Sequence, residues 1–258
     1  MRGDYASLRP FIKAVVGYDQ PPPLPERDLR HVNPLYDGEI AYVDSEVGRF
    51  FEILREHDLF EDTLIVVTSD HGEEMMEHGS LEGHQWTLYE EVVRVPLIIQ
   101  TPSRGCMDGT RVGRGEVVER SVSTVGVAAT VLDCVGVESD ELPSLLGLLQ
   151  GRIDFQSAAA DELLLDLTVR QRTRTVALRT PEHKLIHTVD GSTELYGPPT
   201  VGAETTNLAT QDPETAGRLK ARLDARLAEL EPLADAGVIR QALDQTTVDR
   251  LRATGYMD

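Results

Sequence analysis

The stretch Leu64-Ile65-Val66-Val67-Thr68-Ser69-Asp70-His71-Gly72-Glu73 decides how this chain is read. Its first five residues form a short apolar run rich in β-branched side chains. Such a run marks a strand covered on both faces, expected here as a central parallel strand. Metal-binding side chains begin directly after it. In open α/β sheets ligands sit beyond the carboxyl ends of strands, so the position itself points to function. Asp70 offers a carboxylate and His71 an imidazole, both good donors to divalent metals. In a turn the chain no longer alternates faces, so adjacent residues can converge on one ion. Gly72 permits a tight backbone path beside them. An Asp-His-Gly tripeptide alone is more often a polar turn than a site.

Upstream, Asn33 and Pro34 suit the cap and first turn of a helix. Ile40, Val43, Val47, Phe50 or Phe51, and Leu54 recur at steps of three and four, which predicts an apolar stripe buried against a sheet. Residues 1–32 carry Pro21-Pro22-Pro23 and Pro25 and read as an extended connector. Downstream, Val95-Pro96-Leu97-Ile98-Ile99 predicts a second strand and residues 117–122 a third. Val125 to Val135 reads as a buried helix stopped by Gly136. Composition shifts after about residue 150. Residues 174–179 and 184–189 alternate like strands around the turn Thr180-Pro181-Glu182. Asp190-Gly191 signals a hairpin leading into Thr193-Glu194-Leu195-Tyr196. Asp212-Pro213 caps a helix reaching about Leu230, and residues 246–253 form a last short one.

Composition narrows the partners. The 258 residues include 44 acidic and 25 basic side chains, a formal net charge of −19. Only Lys13, Lys184 and Lys220 are lysines; the other basic residues are arginines. Such a surface repels nucleic acid and anionic membranes. It suits either a salt-adapted (halophilic) protein or an ordinary acidic one from a GC-rich genome. No apolar run approaches the length of a membrane span. Cys106 and Cys134 show no C-x-x-C or metal-ligand spacing. With no leader-like stretch at the N-terminus, the expectation is a cytoplasmic chain with reduced thiols.

The surroundings of Asp70 change its standing. Glu73, Glu74, Glu77 and His78 precede Gly79, and Gly83-His84 follows. Then come Thr87-Leu88-Tyr89-Glu90-Glu91 and Arg94-Val95-Pro96-Leu97-Ile98-Ile99. Several motifs in this order resemble the sulfatase family. Upstream, Tyr36-Asp37-Gly38-Glu39-Ile40-Ala41-Tyr42-Val43-Asp44 resembles the family's approach helix. Arg179-Thr180-Pro181, Lys184, Glu194-Leu195-Tyr196 and Glu204-Thr205-Thr206-Asn207-Leu208 resemble its C-terminal subdomain, and Leu251 to Tyr256 its tail. The resemblance implies an α/β fold: the C-terminal half of an alkaline-phosphatase-like sandwich, a mostly parallel sheet flanked by helices, plus a small antiparallel subdomain with terminal helices. The implied division is a connector at 1–32, half of the catalytic domain at 33–158, and the subdomain at 159–258.

The resemblance also implies hydrolysis of a sulfuric ester, of a small molecule or a glycan, with a divalent metal: Ca, Mg, Mn or Zn. Asp70 and His71 become metal ligands. His84 stands where the family has a Lys or His that contacts the sulfate or protonates the leaving oxygen. Glu73, Glu74 and His78 are expected to be supporting or solvated rather than ligands, Arg94 to pair locally, and Lys184 to belong to the scaffold. The family's formylglycine nucleophile arises from C/S-x-P-S-R, which is not here. In Thr101-Pro102-Ser103-Arg104 the nucleophile position is Gln100, after the wrong strand. A paired aspartate set and a further histidine are also missing. The expectation is a C-terminal half, inactive alone, with the N-terminal half as a partner where it is a separate chain. Two alternatives stand beside it: a phosphonate or phosphodiester hydrolase of the same superfamily, which shares His71, and a non-catalytic fragment or interaction subunit. Gly126, Ala129 and Gly197-Pro198-Pro199 depart from the family pattern.

Overall fold

The computed structural model describes residues 26–236, except 80, 85–86, 108, 110, 112–114, 116, 119, 138–143, 150–161, 170–172, 190 and 201. The proline-rich stretch before 26, the expected helix at 246–253 and the tail motif lie outside the described residues.

Helix α1 spans Glu26–Glu56. Asn33 and Pro34 therefore lie inside it, which corrects the expected cap. Pro34 brings no N–H, a loss of ~3 kcal/mol relative to Ala in a helix interior. The helix-forming run Glu26-Arg27-Asp28-Leu29-Arg30 nonetheless carries the helix through it. The burial expected for its stripe is also corrected. Ile40, Val43 and Phe50 are more than half exposed, whereas Val47, Phe51 and Leu54 are half-buried. Periodicity says which residues share a face, not what covers it. The described contacts of α1 are with the short 3-10 turn Phe60–Asp62. There Phe51 meets Phe60 edge-on with ring centroids 5.7 Å apart, and Arg55 lies 4.1 Å over the Phe60 ring.

Strand β1 is Ile65–Thr68, close to the run that predicted it. Its hydrogen-bonded neighbour is β4, Leu97–Gln100, with Val66 opposite Ile99 and Val67 opposite Ile98. The pair is antiparallel, so the expected parallel partner is corrected. An apolar run reports how a strand is covered, not the direction of its neighbour. Between these strands lie the hairpin strands β2 (Glu74–Met75) and β3 (Leu81–Gly83), and the one-turn helix α2 (Glu90–Val93). The third strand expected at 117–122 does not form among the described residues there.

Helix α3, Gly126–Cys134, matches the expected helix but buries only one face. Ala129, Thr130 and Cys134 are buried, whereas Val131 and Leu132 are exposed. Thr130 Oγ1 donates to the Gly126 carbonyl at 2.6 Å and accepts from Leu145 N at 2.8 Å, docking helix α4 (Leu146–Leu149). Cys106 and Cys134 form a disulfide, which corrects the reduced thiols expected from sequence. The loop after β4 returns to the end of α3, where Met107 N donates to the Cys134 carbonyl. A 28-residue separation carries no motif from which this pairing could be read.

The four-stranded antiparallel sheet runs β5 (Leu163–Val169), β6 (Thr173–Arg179), β7 (Lys184–Thr188), β8 (Thr193–Tyr196) in that order. The last three match the sequence reading; β5 was not anticipated. Leu88 packs into its face among Ala177, Ile186 and Tyr196, with Tyr89 and Val93 alongside. Full burial of each large apolar side chain there is worth ~1.5–3 kcal/mol. The segment that follows the metal corner is thus fastened to the small sheet. Helix α5, Pro213–Ala236, follows. As expected, Asp212 caps it: its Oδ1 accepts from Thr215 N at 3.0 Å. That bond holds the Asp212 carboxyl below its ordinary range. The chain divides into two compact units, residues 1–219 and 220–258. Everything described from α1 through β8 belongs to the first.

Candidate metal centre

The corner is built where β1 stops. Ser69 Oγ donates to the His71 carbonyl at 2.7 Å, and His71 N donates to Asp70 Oδ1 at 3.0 Å. The backbone hydrogen bond from His71, then the His71 charge, hold the Asp70 carboxyl below its ordinary range. Asp70 is therefore ionised wherever an imidazole is free to ligate. Its side chain is 86% exposed. Gly72 closes the turn against α2: its N–H donates to the Val92 carbonyl at 2.7 Å. A Cβ here would stand 2.0 Å from the Glu91 carbonyl oxygen, so only glycine fits.

The β2–β3 hairpin brings in the second histidine. Glu74 pairs with Gly83, which sets Glu73 and His84 opposite each other where the ladder opens. His84 Nδ1 lies 2.8 Å from Glu73 Oε1, and the His71 and His84 rings stack with centroids 3.7 Å apart. His71 faces two ways. Its Nε2 is 3.6 Å from Asp70 Oδ2, while its Nδ1 is 3.7 Å from Glu73 Oε1 and 2.9 Å from the Gly72 carbonyl. Glu73 Oε2 is buried without a hydrogen-bond partner.

Asp70, His71 and His84 are therefore brought together. Glu73, expected to be supporting or solvated, stands beside both histidines. Its signal was available: in a hairpin opening with Glu73 and closing with Gly83-His84, the flanking residues face each other. Asp70 and His71 suit part of a divalent shell, a carboxylate and an imidazole within 3.6 Å. Two donors alone cover a fraction of what Ca²⁺ or Mg²⁺ takes.

Most of the neighbouring polar residues are fastened, although His78 Nε2 and Glu91 Oε2 are buried without a hydrogen bond. Glu74 is fully buried, accepting from Thr87 Oγ1 at 2.8 Å and His78 N at 3.1 Å. His78 stacks on Tyr89 at 3.6 Å and sets Nε2 3.4 Å from Glu91 Oε2, a supporting place. Burial, then the Glu194 carboxylate, push the Tyr89 hydroxyl up to about 12. Lys184, Glu90 and Glu204 are buried together, with Lys184 Nζ 3.0 Å from a carboxylate oxygen of each. Arg179 Nε adds a bond to Glu90 Oε1 at 3.0 Å. Glu90 N donates to Glu204 Oε2 at 2.6 Å. Lys184 thus belongs to the scaffold.

The sulfatase family model matches residues 13–137. Arylsulfatase K of Bos taurus is 26% identical over 209 residues, covering 77% of this chain but 37% of its own length. The chain thus spans little more than a third of that relative. Among solved structures, BT1596, a 2-O GAG sulfatase, aligns with a TM-score of 0.69 at 22% identity, covering 80% of this chain and 45% of its own. The phosphonate monoester hydrolase of Agrobacterium radiobacter aligns with a TM-score of 0.62 at 24% identity, covering 80% and 42%. Both likenesses place the chain in the alkaline-phosphatase-like α/β fold.

Proposed function

The chain belongs to the sulfatase family, and from that premise we propose that it supplies one side of an ester-cleaving site. Asp70 and His71 hold a divalent metal there, and His84 acts on the leaving group. The carrying observation is the convergence of Asp70, His71 and His84 on one corner, from the end of β1 and the end of β3. When bound, the metal supplies orientation of the nucleophile and polarisation of the sulfuryl oxygens. His84 offers a proton, or positive charge, to the leaving oxygen as it becomes negative. Glu73, 2.8 Å from His84 Nδ1, fixes that ring.

The nucleophile and the remaining metal ligands come from further polypeptide, either joined to this chain or separate. The exposed apolar side chains Tyr36, Ile40, Val43 and Phe50 on α1 and Ile98 on β4 support this, because large open apolar patches mark covered surfaces. The substrate class is a sulfate ester of a small molecule or glycan, in keeping with the name of BT1596. A phosphonate or phosphodiester hydrolase is the second reading. His71 at the ligand position and the likeness to a phosphonate monoester hydrolase favour it.

A turnover assay with 4-nitrophenyl sulfate and a phenyl phosphonate monoester tests both. The chain alone, with Mg²⁺, Ca²⁺ or Mn²⁺, gives no turnover; robust turnover would sink the shared-site reading. Joined to a polypeptide carrying C/S-x-P-S-R, it turns over the sulfate, and His84→Asn lowers kcat by ~10²–10⁴-fold. Preference for the phosphonate selects the second reading.

A further inference from the structure

We infer that His71 Nδ1, Glu73 and His84 form a second metal site, selective for a late first-row divalent ion such as Zn²⁺, beside the Asp70–His71 Nε2 pair and in competition with it. One atom from each of these three residues lies within 4.8 Å of the others. Glu73 Oε1 stands 2.8 Å from His84 Nδ1 and 3.7 Å from His71 Nδ1. Ligand bonds of about 2.0–2.2 Å in a tetrahedral shell place donors roughly 3.4 Å apart, which the two separations to Glu73 bracket. Because the two rings stack 3.7 Å apart, one imidazole turns out of the stack for both lone pairs to meet the ion. Two imidazoles and one carboxylate form a zinc-type set that leaves a fourth position open. Oxygen-seeking Mg²⁺ and Ca²⁺ gain little from it. Glu73 Oε2, buried and unpartnered, is the loose end that an ion at this place would compensate.

The two sites exclude each other through one ring. With the proton on Nδ1, His71 donates to the Gly72 carbonyl at 2.9 Å and turns its Nε2 lone pair toward Asp70. Ligation through Nδ1 requires the opposite tautomer and gives up that bond. A zinc-class ion in the second site also occupies His84 and removes the proton donor. That consequence, inhibition by zinc, rests on the function proposed above; the binding itself does not.

The test is titration of the intact chain with Co²⁺, followed by its visible absorption, and with Zn²⁺ by calorimetry. One ion binds per chain, with the strong absorption of four-coordinate Co²⁺. Glu73→Gln and His84→Asn each weaken it by ~100-fold or more, since losing an outer-shell partner alone costs 10–100-fold. Asp70→Asn leaves it within about threefold, and excess Mg²⁺ does not displace it. Thermal melts of each variant confirm the fold. If Asp70→Asn abolishes Zn²⁺ binding while Glu73→Gln and His84→Asn do not, the ion sits at the Asp70 pair. The second site is then refuted and the proposed function stands. If the Co²⁺ signal depends on Glu73 and His84 but the joined enzyme's sulfate turnover is indifferent to Asp70→Asn, the proposed function fails instead. No binding of either ion overturns the site outright.

Discussion

Two charged clusters are tied to helix α2, one through Glu90 and one through Gly72, and they are opposites. On one side Glu90, Glu204, Lys184 and Arg179 are sealed. Lys184 is fully buried, and its ammonium meets both carboxylates at 3.0 Å. On the other side His71, Glu73 and His84 stay partly open, at 34%, 20% and 34% side-chain exposure. Each cluster leaves one buried carboxylate oxygen without a hydrogen bond, Glu73 Oε2 in the open one and Glu204 Oε1 in the sealed one, but Glu204 Oε1 has the Lys184 ammonium at 3.0 Å. Both clusters mix acids with bases. What separates them is whether the set closes on itself. The sealed cluster has its charges answered from within, so it can only hold things in place. The open one keeps donor capacity for a guest. Charged residues in a sequence do not announce which kind they will become.

The largest break in this comparison comes from opening the sealed side. Lys184→Met strands Glu90 and Glu204 in the interior, and unfolding by urea should show a loss of ~3–5 kcal/mol at pH 7. The pH dependence follows from the two acids. Burial pushes Glu90 up, but the Arg179 bonds and the Lys184 charge outweigh it and hold the group low. Its stabilisation is complete above the ordinary carboxylate range and fades as pH falls through the lowered value. Burial holds Glu204 high despite Lys184. Its share is present below the ordinary range and fades as pH rises through the raised value. Without Lys184, Glu204 has no cation against its burial while Glu90 keeps Arg179, so the deficit of the variant should shrink as pH falls from 7 to 5 and Glu204 protonates. Adding Glu204→Gln to Lys184→Met should recover part of it. A deficit that is flat with pH would mean that the lysine acts by packing alone.

A middle-sized effect tests whether the two sides communicate. Gly72 leans on α2, whose Glu90 anchors the sealed cluster. Gly72→Ala puts a methyl group 2.0 Å from the Glu91 carbonyl oxygen. Overpacking of this kind costs ~1–3 kcal/mol. Because the clash falls at the joint, the variant should also weaken Co²⁺ binding at the corner. Lost stability with unchanged Co²⁺ affinity would show the corner to be independent of its support.

How much of this could be read beforehand differs between the two sides. The nearness of Asp70, His71 and His84 was legible because motif order singled them out together. Their meeting follows from short-range geometry: a strand end and a hairpin two steps away. The place of Glu73 was legible only in part: a hairpin opening at Glu73 and closing at His84 sets the two opposite, but the shifted pair in its ladder is not written in the sequence. Strands β6 to β8 were legible from alternation and turn residues. The sealed cluster was not, since Glu90 and Lys184 are joined only by tertiary packing, far apart in sequence. The direction of β4 beside β1, the Cys106–Cys134 bond and the uncovered stripe of α1 failed for the same reason. Each depends on what lies across from a residue, and a local pattern carries no record of that.

The smallest expected effect sharpens the contrast from the open side. If the corner is arranged for a guest rather than for stability, its members should be nearly dispensable to folding. Glu73 Oε1 lies 2.8 Å from His84 Nδ1, yet Glu73 leaves its other, buried oxygen without a partner. Partly exposed pairs of this sort contribute about 0–1 kcal/mol. Glu73→Gln keeps the shape and removes the charge, so urea midpoints without metal should move by ~1 kcal/mol or less, in either direction. With saturating Zn²⁺ the wild type should gain stability in proportion to the logarithm of metal over Kd, while the variant gains little. A loss near that of Lys184→Met in metal-free buffer would break the comparison, because the corner would then be scaffold like its neighbour.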